Sequence, residues 1–310
     1  MRITKKVKQI LDYYESDNPG TLANLCRILM HGKLGGTGKL IILPVDQGFE
    51  HGPDRSFAIN AQAYDPHYHY KLAIDAGLSA YAAPLGMIEA GAKTFAGQIP
   101  LILKVNSSNS LMRKEAVPDQ AITSSPKDAV RLGCSAIGFT IYPGSDASLD
   151  MISTIREMAE EAKSYGLAVI IWSYARGGDL TKDDETAIDV ISYAAHIAAL
   201  AGAHIIKVKP PTAHITQAEA KKVFEEIHDI NISSLSQRIA HVKRACFNGR
   251  RIVVFSGGAS KTMADVYNEA RAINEGDGNG SIIGRNAFQR PREEALKMFT
   301  DLTNIYLGKM

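Results

Sequence analysis

From Lys39 onward, short runs of β-branched and aliphatic residues alternate with helix-length amphipathic segments, and no other feature narrows the possible folds as far. In order, the runs are Leu40 to Val45, Ser79 to Pro84, Leu101 to Val105, Ala136 to Tyr142, Ala168 to Tyr174, His204 to Lys209, Arg251 to Ser256 and Ser281 to Gly284. Apolar runs of that length read as buried strands. Helices are expected between them, for example over Ser148 to Tyr165, Asp184 to Leu200, Lys261 to Asn274 and Arg292 to Tyr306. Pro126, Pro291 and the Thr216-Gln217-Ala218-Glu219 spacing supply helix-start signals. Repeated strand and helix units imply parallel strands joined by right-handed crossovers. Eight such units between residues 39 and 310 predict an α/β fold, a single (β/α)8 TIM barrel. A doubly wound open sheet is the alternative if a strand boundary is misread.

The first 38 residues have a different pattern. Val7, Ile10, Leu11 and Tyr14 recur at helical spacing, and a second helical segment runs from Thr21 to Met30. We therefore expect an N-terminal helical extension over 1–38 and one catalytic barrel domain over 39–310, with the cluster Gly276-Asp277-Gly278-Asn279-Gly280 as the turn before the last strand. The stretch from Phe224 to Arg250 exceeds what a minimal barrel needs and predicts an extra helix, as a lid or an oligomer contact.

Composition sets some functions aside. The 35 basic and 33 acidic residues are interspersed, without a block of like charge, so no nucleic-acid partner is expected. No apolar run is long enough for a membrane span or a signal peptide. The three cysteines form no Cys-x-x-Cys pair, which fits a reducing cytoplasm. Among the nine histidines only His67 and His69 are grouped; lying in a polar stretch, they are expected to face solvent, and neither a metal nor a cofactor is expected.

In such barrels the chemistry sits at the carboxyl ends of the strands. Here those ends carry Asp46-Gln47-Gly48 with Glu50 and His51 behind, then Lys104 and Asn106, then Trp172-Ser173-Tyr174-Ala175-Arg176-Gly177-Gly178, then Lys207 and Lys209, Ser256-Gly257-Gly258, and Gly284-Arg285-Asn286. Glycines directly after the last two strands leave backbone N–H groups available for a phosphate, and Arg285 adds a planar fork of donors. Lys209 ends an apolar strand, so it is the expected nucleophile. Bringing a lysine from about 10.4 to about 7 or 8 requires burial or a second cation. Lys207 shares the inward parity of Lys209 and supplies that cation. Asp46 is expected to orient the amine or handle a hydroxyl proton, and Tyr174 to donate and accept one. The plainer reading is that the lysines simply pair with Asp46 and Glu50.

Six of these segments carry a family likeness: Leu43-Pro44-Val45-Asp46-Gln47-Gly48-Phe49-Glu50-His51, Thr140-Ile141-Tyr142-Pro143-Gly144-Ser145, Trp172 to Gly178, Lys207-Val208-Lys209, Ser256-Gly257-Gly258 and Gly284-Arg285-Asn286. The chain resembles the archaeal-type class I fructose-1,6-bisphosphate aldolases, the DhnA family. The resemblance implies a Schiff base on Lys209, proton transfer by Tyr174 and Asp46, and substrate contacts from Gln47, His51, Trp172, Ser173, Arg176, Lys207, Ser256, Gly257, Gly258, Gly284 and Arg285. It implies a phosphosugar substrate, no metal, and a homo-oligomer such as a decamer. Pro210-Pro211-Thr212 after the lysine departs from the family pattern. The rival readings are a related Schiff-base enzyme such as an aminodideoxyheptulosonate synthase, or a phosphosugar-binding regulator without chemistry.

Overall fold

The computed structural model describes residues 2–227, 230–256 and 262–310. Among the described residues there are ten strands: β1 Leu40–Pro44, β2 Ala80–Pro84, β3 Leu101–Lys104, β4 Asn106–Ser107, β5 Ala121–Ile122, β6 Ala136–Ile141, β7 Ala168–Ser173, β8 Ile205–Val208, β9 Ile252–Phe255 and β10 Gly280–Ile282. Eight of them close a barrel in the ring order β1-β10-β9-β8-β7-β6-β3-β2. Every barrel pairing is parallel, so the ring follows chain order and the open-sheet alternative falls away. β4 and β5 form a separate antiparallel pair in the loop beyond β3.

Strand alternation divides the core into two layers. Leu40, Ile42, Ala80, Ala82, Ile102, Ile170, Trp172, Ile205, Val254 and Ile282 fill the barrel interior. Their sequence neighbours, among them Ile41, Leu43, Ile171, Ile206 and Phe255, pack outward against the helices. The helices Lys5–Leu11 and Pro19–Met30 add Val7, Ile10, Leu25, Ile28 and Leu29 to the inner cluster, so the N-terminal extension closes the lower end of the barrel. Tyr14 fixes it there: its hydroxyl donates to the His204 carbonyl at 2.5 Å and accepts from the Ile252 amide at 3.3 Å.

The interior is tightest around Trp172. A Cβ on Gly138 of β6 would lie 2.1 Å from Cζ3 of the indole, so only glycine leaves room for the ring. Gly138→Ala is therefore expected to destabilise the barrel by about 1–3 kcal/mol through overpacking. The loss would appear as a lower urea midpoint, and an unchanged midpoint would contradict this packing.

Several local expectations need correction. The helix expected from Asp184 is split into a 3-10 turn, Asp184–Thr186, and a helix, Ile188–Leu200. The Asp184 carboxylate accepts from the Thr181 amide and from the Thr181 and Thr216 hydroxyls, holding the turn apart from the helix. Thr216 thus serves Asp184, and the N-cap of helix Ala218–Glu226 is Gln217. Within 224–250 lies the helix Leu235–Ala245, opened by a Ser234 and Gln237 capping box; it packs into the outer core through Ile239 and Val242.

Neither histidine fully faces solvent: His67 is half-buried against Phe95, and His69 is fully buried. Its ring lies edge-on to Phe288, and Nε2 lies 2.7 Å from the Ala63 carbonyl. Burial pushes its pKa from the ordinary 6.5 down to about 4. A depressed histidine pKa contributes stability that is present above the unfolded value and is lost as pH falls through the folded one. We expect His69 to account for a loss on the order of 3 kcal/mol between pH 6.5 and 4. Urea titrations of wild type and His69→Gln at pH 7 and 4.5 check this, the variant showing the smaller difference between the two.

Candidate functional site

A cavity of about 140 Å³ opens at the carboxyl ends of the strands, and Asp46, Gln47, Glu50, His51, Tyr174, Arg176, Lys207, Lys209, Ser256, Gly284 and Arg285 are among its lining residues. The first strand delivers Asp46 directly. It stands at the head of the short helix Gln47–His51, its carbonyl accepting from the Phe49 and Glu50 amides at 3.1 and 3.3 Å. Its carboxylate makes no capping bond. The following turns bring Glu50 and His51 to the same wall. Burial, then the Asp46 charge, raises the Glu50 pKa, while Lys104, Lys207 and Arg176 work the other way.

Lys207 lies inside β8 with inward parity and is only 6% exposed. It pairs in register with Trp172 across β7, and its Nζ donates to the Tyr174 hydroxyl. Burial pushes its pKa from 10.5 to about 8; Asp46 and Glu50 oppose that shift, and Lys104 and Arg285 add to it. Tyr174, just past the end of β7, is driven the other way. Burial first, then Asp46, Glu50 and Tyr142, raises its pKa well above 10 and keeps the phenol neutral. A partly neutral amine and a protonated phenol therefore meet in one cavity beside a carboxylate.

Lys209 does not share that environment. Its Nζ donates to Glu185 Oε2 at 3.0 Å, and the other Glu185 oxygen accepts from Lys182 at 2.6 Å. Burial favours the neutral acid in Glu185, but the two lysines outweigh it and its pKa is lowered. Of the two lysines it is Lys207 that bonds to Tyr174, and the cations acting on it are Lys104 of β3 and Arg285, where Lys209 was expected to be the second cation. The plainer expectation also changes, because the carboxylate paired with Lys209 is Glu185, not Asp46 or Glu50.

Two other expected contacts lie outside the cavity lining. Ser173 alternates outward, where its hydroxyl donates to the Ala194 carbonyl at 2.7 Å, so it faces helix Ile188–Leu200 and not the cavity. Trp172 points inward but lies in the layer beneath the cavity, with Lys104 Nζ 6.0 Å from its ring centre. Arg176 stacks on Tyr142 at 4.9 Å, and its Nε is buried without a partner among the described residues, as is Gln47 Oε1.

The far wall is built from Ser256, Gly284 and Arg285. A Cβ on Gly284 would come within 2.8 Å of the Pro44 carbonyl and 3.0 Å of Gln47 Nε2, so the backbone is exposed to the cavity only because the residue is glycine. Gly257 and Gly258 lie outside the described residues. Lys104 and Glu185 were given no role from sequence, and Glu50 was read only as a pairing partner. Lys104 carried the clearest missed signal: it is a charged residue at inward parity inside an apolar strand.

Comparison with known proteins gives a consistent picture. The profile of the DeoC/LacD family aldolases matches residues 40–290. A protein of Chlamydia muridarum named probable fructose-bisphosphate aldolase class 1 is 36% identical, covering 95% of this chain and 87% of that protein. The fructose-bisphosphate aldolase class 1 of Thermoproteus tenax is 34% identical over 87% of this chain and 90% of its own length. A solved archaeal fructose-1,6-bisphosphate aldolase, whose catalytic lysine is covalently bound to the carbinolamine intermediate of the substrate, is 30% identical. It superposes with a TM-score of 0.75 over 91% of this chain and 98% of that one.

Proposed function

The chain belongs to the DeoC/LacD aldolases and, within them, to the class 1 fructose-bisphosphate aldolases, and from that premise we propose that it cleaves fructose 1,6-bisphosphate reversibly through an imine on Lys207. One observation carries the residue assignment: the buried Lys207 amine, pushed to about 8, is bonded to Tyr174 in the cavity that also contains Asp46.

The chemistry follows from those three groups. Lys207 attacks the C2 ketone, and loss of water from the carbinolamine leaves an iminium. The C4 hydroxyl gives its proton to a base, the C3–C4 bond breaks, and its electron pair flows into the iminium to give an enamine while glyceraldehyde 3-phosphate departs. Protonation at C3 and hydrolysis of the imine release dihydroxyacetone phosphate and restore Lys207. Tyr174 is suited to carry protons at these steps, its hydroxyl already touching Nζ. Asp46 balances the positive charge of the iminium across the cavity. Ser256, Gly284 and Arg285 are proposed to hold one phosphate, and Arg176, with its unpartnered Nε, the other.

The direct test is a coupled assay on fructose 1,6-bisphosphate in the presence of EDTA. Equimolar triose phosphates are expected. Absence of cleavage, or activity that EDTA abolishes, would contradict the proposal. We also infer a homo-oligomer, which accords with an apolar groove of about 490 Å³ lined by Leu149, Ile152, Leu180, Val190 and Tyr193; sedimentation reads its size.

A further inference from the structure

Lys104 is the most deeply buried charge at the mouth, only 1% exposed, yet it does not line the cavity. Its position is fixed from two sides. Nζ donates to the Asn106 carbonyl at 2.5 Å and sits 6.0 Å from the centre of the Trp172 ring. Asn106 is itself immobilised, since its side chain accepts from the Thr140 amide at 2.7 Å and donates to the Thr140 carbonyl at 2.8 Å. Among the described residues Lys104 makes no direct ion pair; burial lowers its pKa, and Asp46 and Glu50 both oppose that and favour its charged form. A buried cation held only by a neutral carbonyl and a ring face is costly unless nearby carboxylates balance it. The same two carboxylates face Lys207.

Taking the aldolase reading above as given, we propose that Lys104 is a positioning residue for the reaction: its fixed ammonium offsets Asp46 and Glu50 and so leaves the Lys207 amine free to attack. Without it, two carboxylates face Lys207 and draw a proton onto the amine. Among the described residues, the groups around Lys207 at the mouth are Asp46 beyond β1, Glu50 and His51 on helix Gln47–His51, Lys104 on β3, Tyr142 beyond β6, Tyr174 and Arg176 beyond β7, Lys209 with Glu185, Glu269 on helix Met263–Glu275, and Arg285 on helix Arg285–Phe288. His51 is pushed below its ordinary 6.5 by burial and then by Arg285, so it titrates apart from Lys207.

The test measures kcat/KM for fructose 1,6-bisphosphate cleavage, and the rate of borohydride-trapped imine formation with dihydroxyacetone phosphate, from pH 5 to 10. Wild type, Lys104→Met and Lys104→Arg are compared, with thermal melts in parallel. Loss of the Lys104 charge is expected to move the acid limb of both profiles up by about one pH unit, a loss of roughly tenfold at pH 6.5 that is recovered at high pH. Lys104→Arg is expected to keep the wild-type limb. If the Met variant fails to fold, Lys104→Gln, which retains a donor for the Asn106 carbonyl, is read the same way. A limb that stays in place, or a loss equal at every pH, overturns the inference. No trappable imine in the wild type at any pH overturns the aldolase reading instead, and this inference with it.

Discussion

Lys207→Ala is expected to lower kcat/KM for fructose 1,6-bisphosphate by about 10⁴-fold or more, because it removes the one amine among the described residues that is buried, lines the cavity and touches Tyr174. The fold should survive, since the variant leaves a small void at the wet end of the barrel without uncovering the inner core of Ile205, Val254 and Ile282. Lys209→Ala is the informative control. It breaks an ion pair at the rim, while Glu185 keeps Lys182 as a partner. Because Glu185 is not left unpaired and Lys209 makes no bond to Tyr174, less than about a tenfold loss is expected. Steady-state kinetics of the two variants side by side check the assignment, and equal losses would contradict it.

Tyr174→Phe is expected to reduce kcat by about 10²–10⁴-fold, the range for removal of a positioned acid–base group. The ring stays packed and only the hydroxyl is lost. Because that hydroxyl accepts from Lys207 Nζ but forms no bond to carbon, the variant should still form the imine with dihydroxyacetone phosphate. The expected pattern is thus a fall in turnover with substrate trapping retained. Loss of trapping together with turnover would mean that Tyr174 acts earlier, in carbinolamine formation. The neutral phenol is central to this role: Asp46, Glu50 and Tyr142 all disfavour the phenolate, so the proton it gives up is returned rather than held off.

The barrel was legible because each strand is short, apolar and followed by a segment of helical period, and because the polar residues stand at the same end of every strand. Asp46, Tyr174, Arg176, Lys207 and Arg285 could be placed at one mouth for that reason, and all of them line the cavity. Choosing between Lys207 and Lys209 was beyond a local reading. The two share parity, and what separates them comes from elsewhere in the chain: Glu185, carried on the Asp184–Thr186 turn, captures Lys209, while Lys104 on β3 and Asp46 beyond β1 surround Lys207. Alternation did contain the position of Ser173, whose neighbours Trp172 and Tyr174 point inward and leave it facing the helix. His69 was misread because its polar window gives no hint of Phe57 and Phe288, which reach it from a different turn and from the last barrel unit.

The most direct measurement is to react the protein with dihydroxyacetone phosphate, reduce with borohydride, digest, and locate the added mass by peptide sequencing in the spectrometer. The adduct is expected on Lys207, in wild type and in Lys209→Ala alike. An adduct on Lys209, or one that persists in Lys207→Ala, would contradict the assignment of the reactive amine.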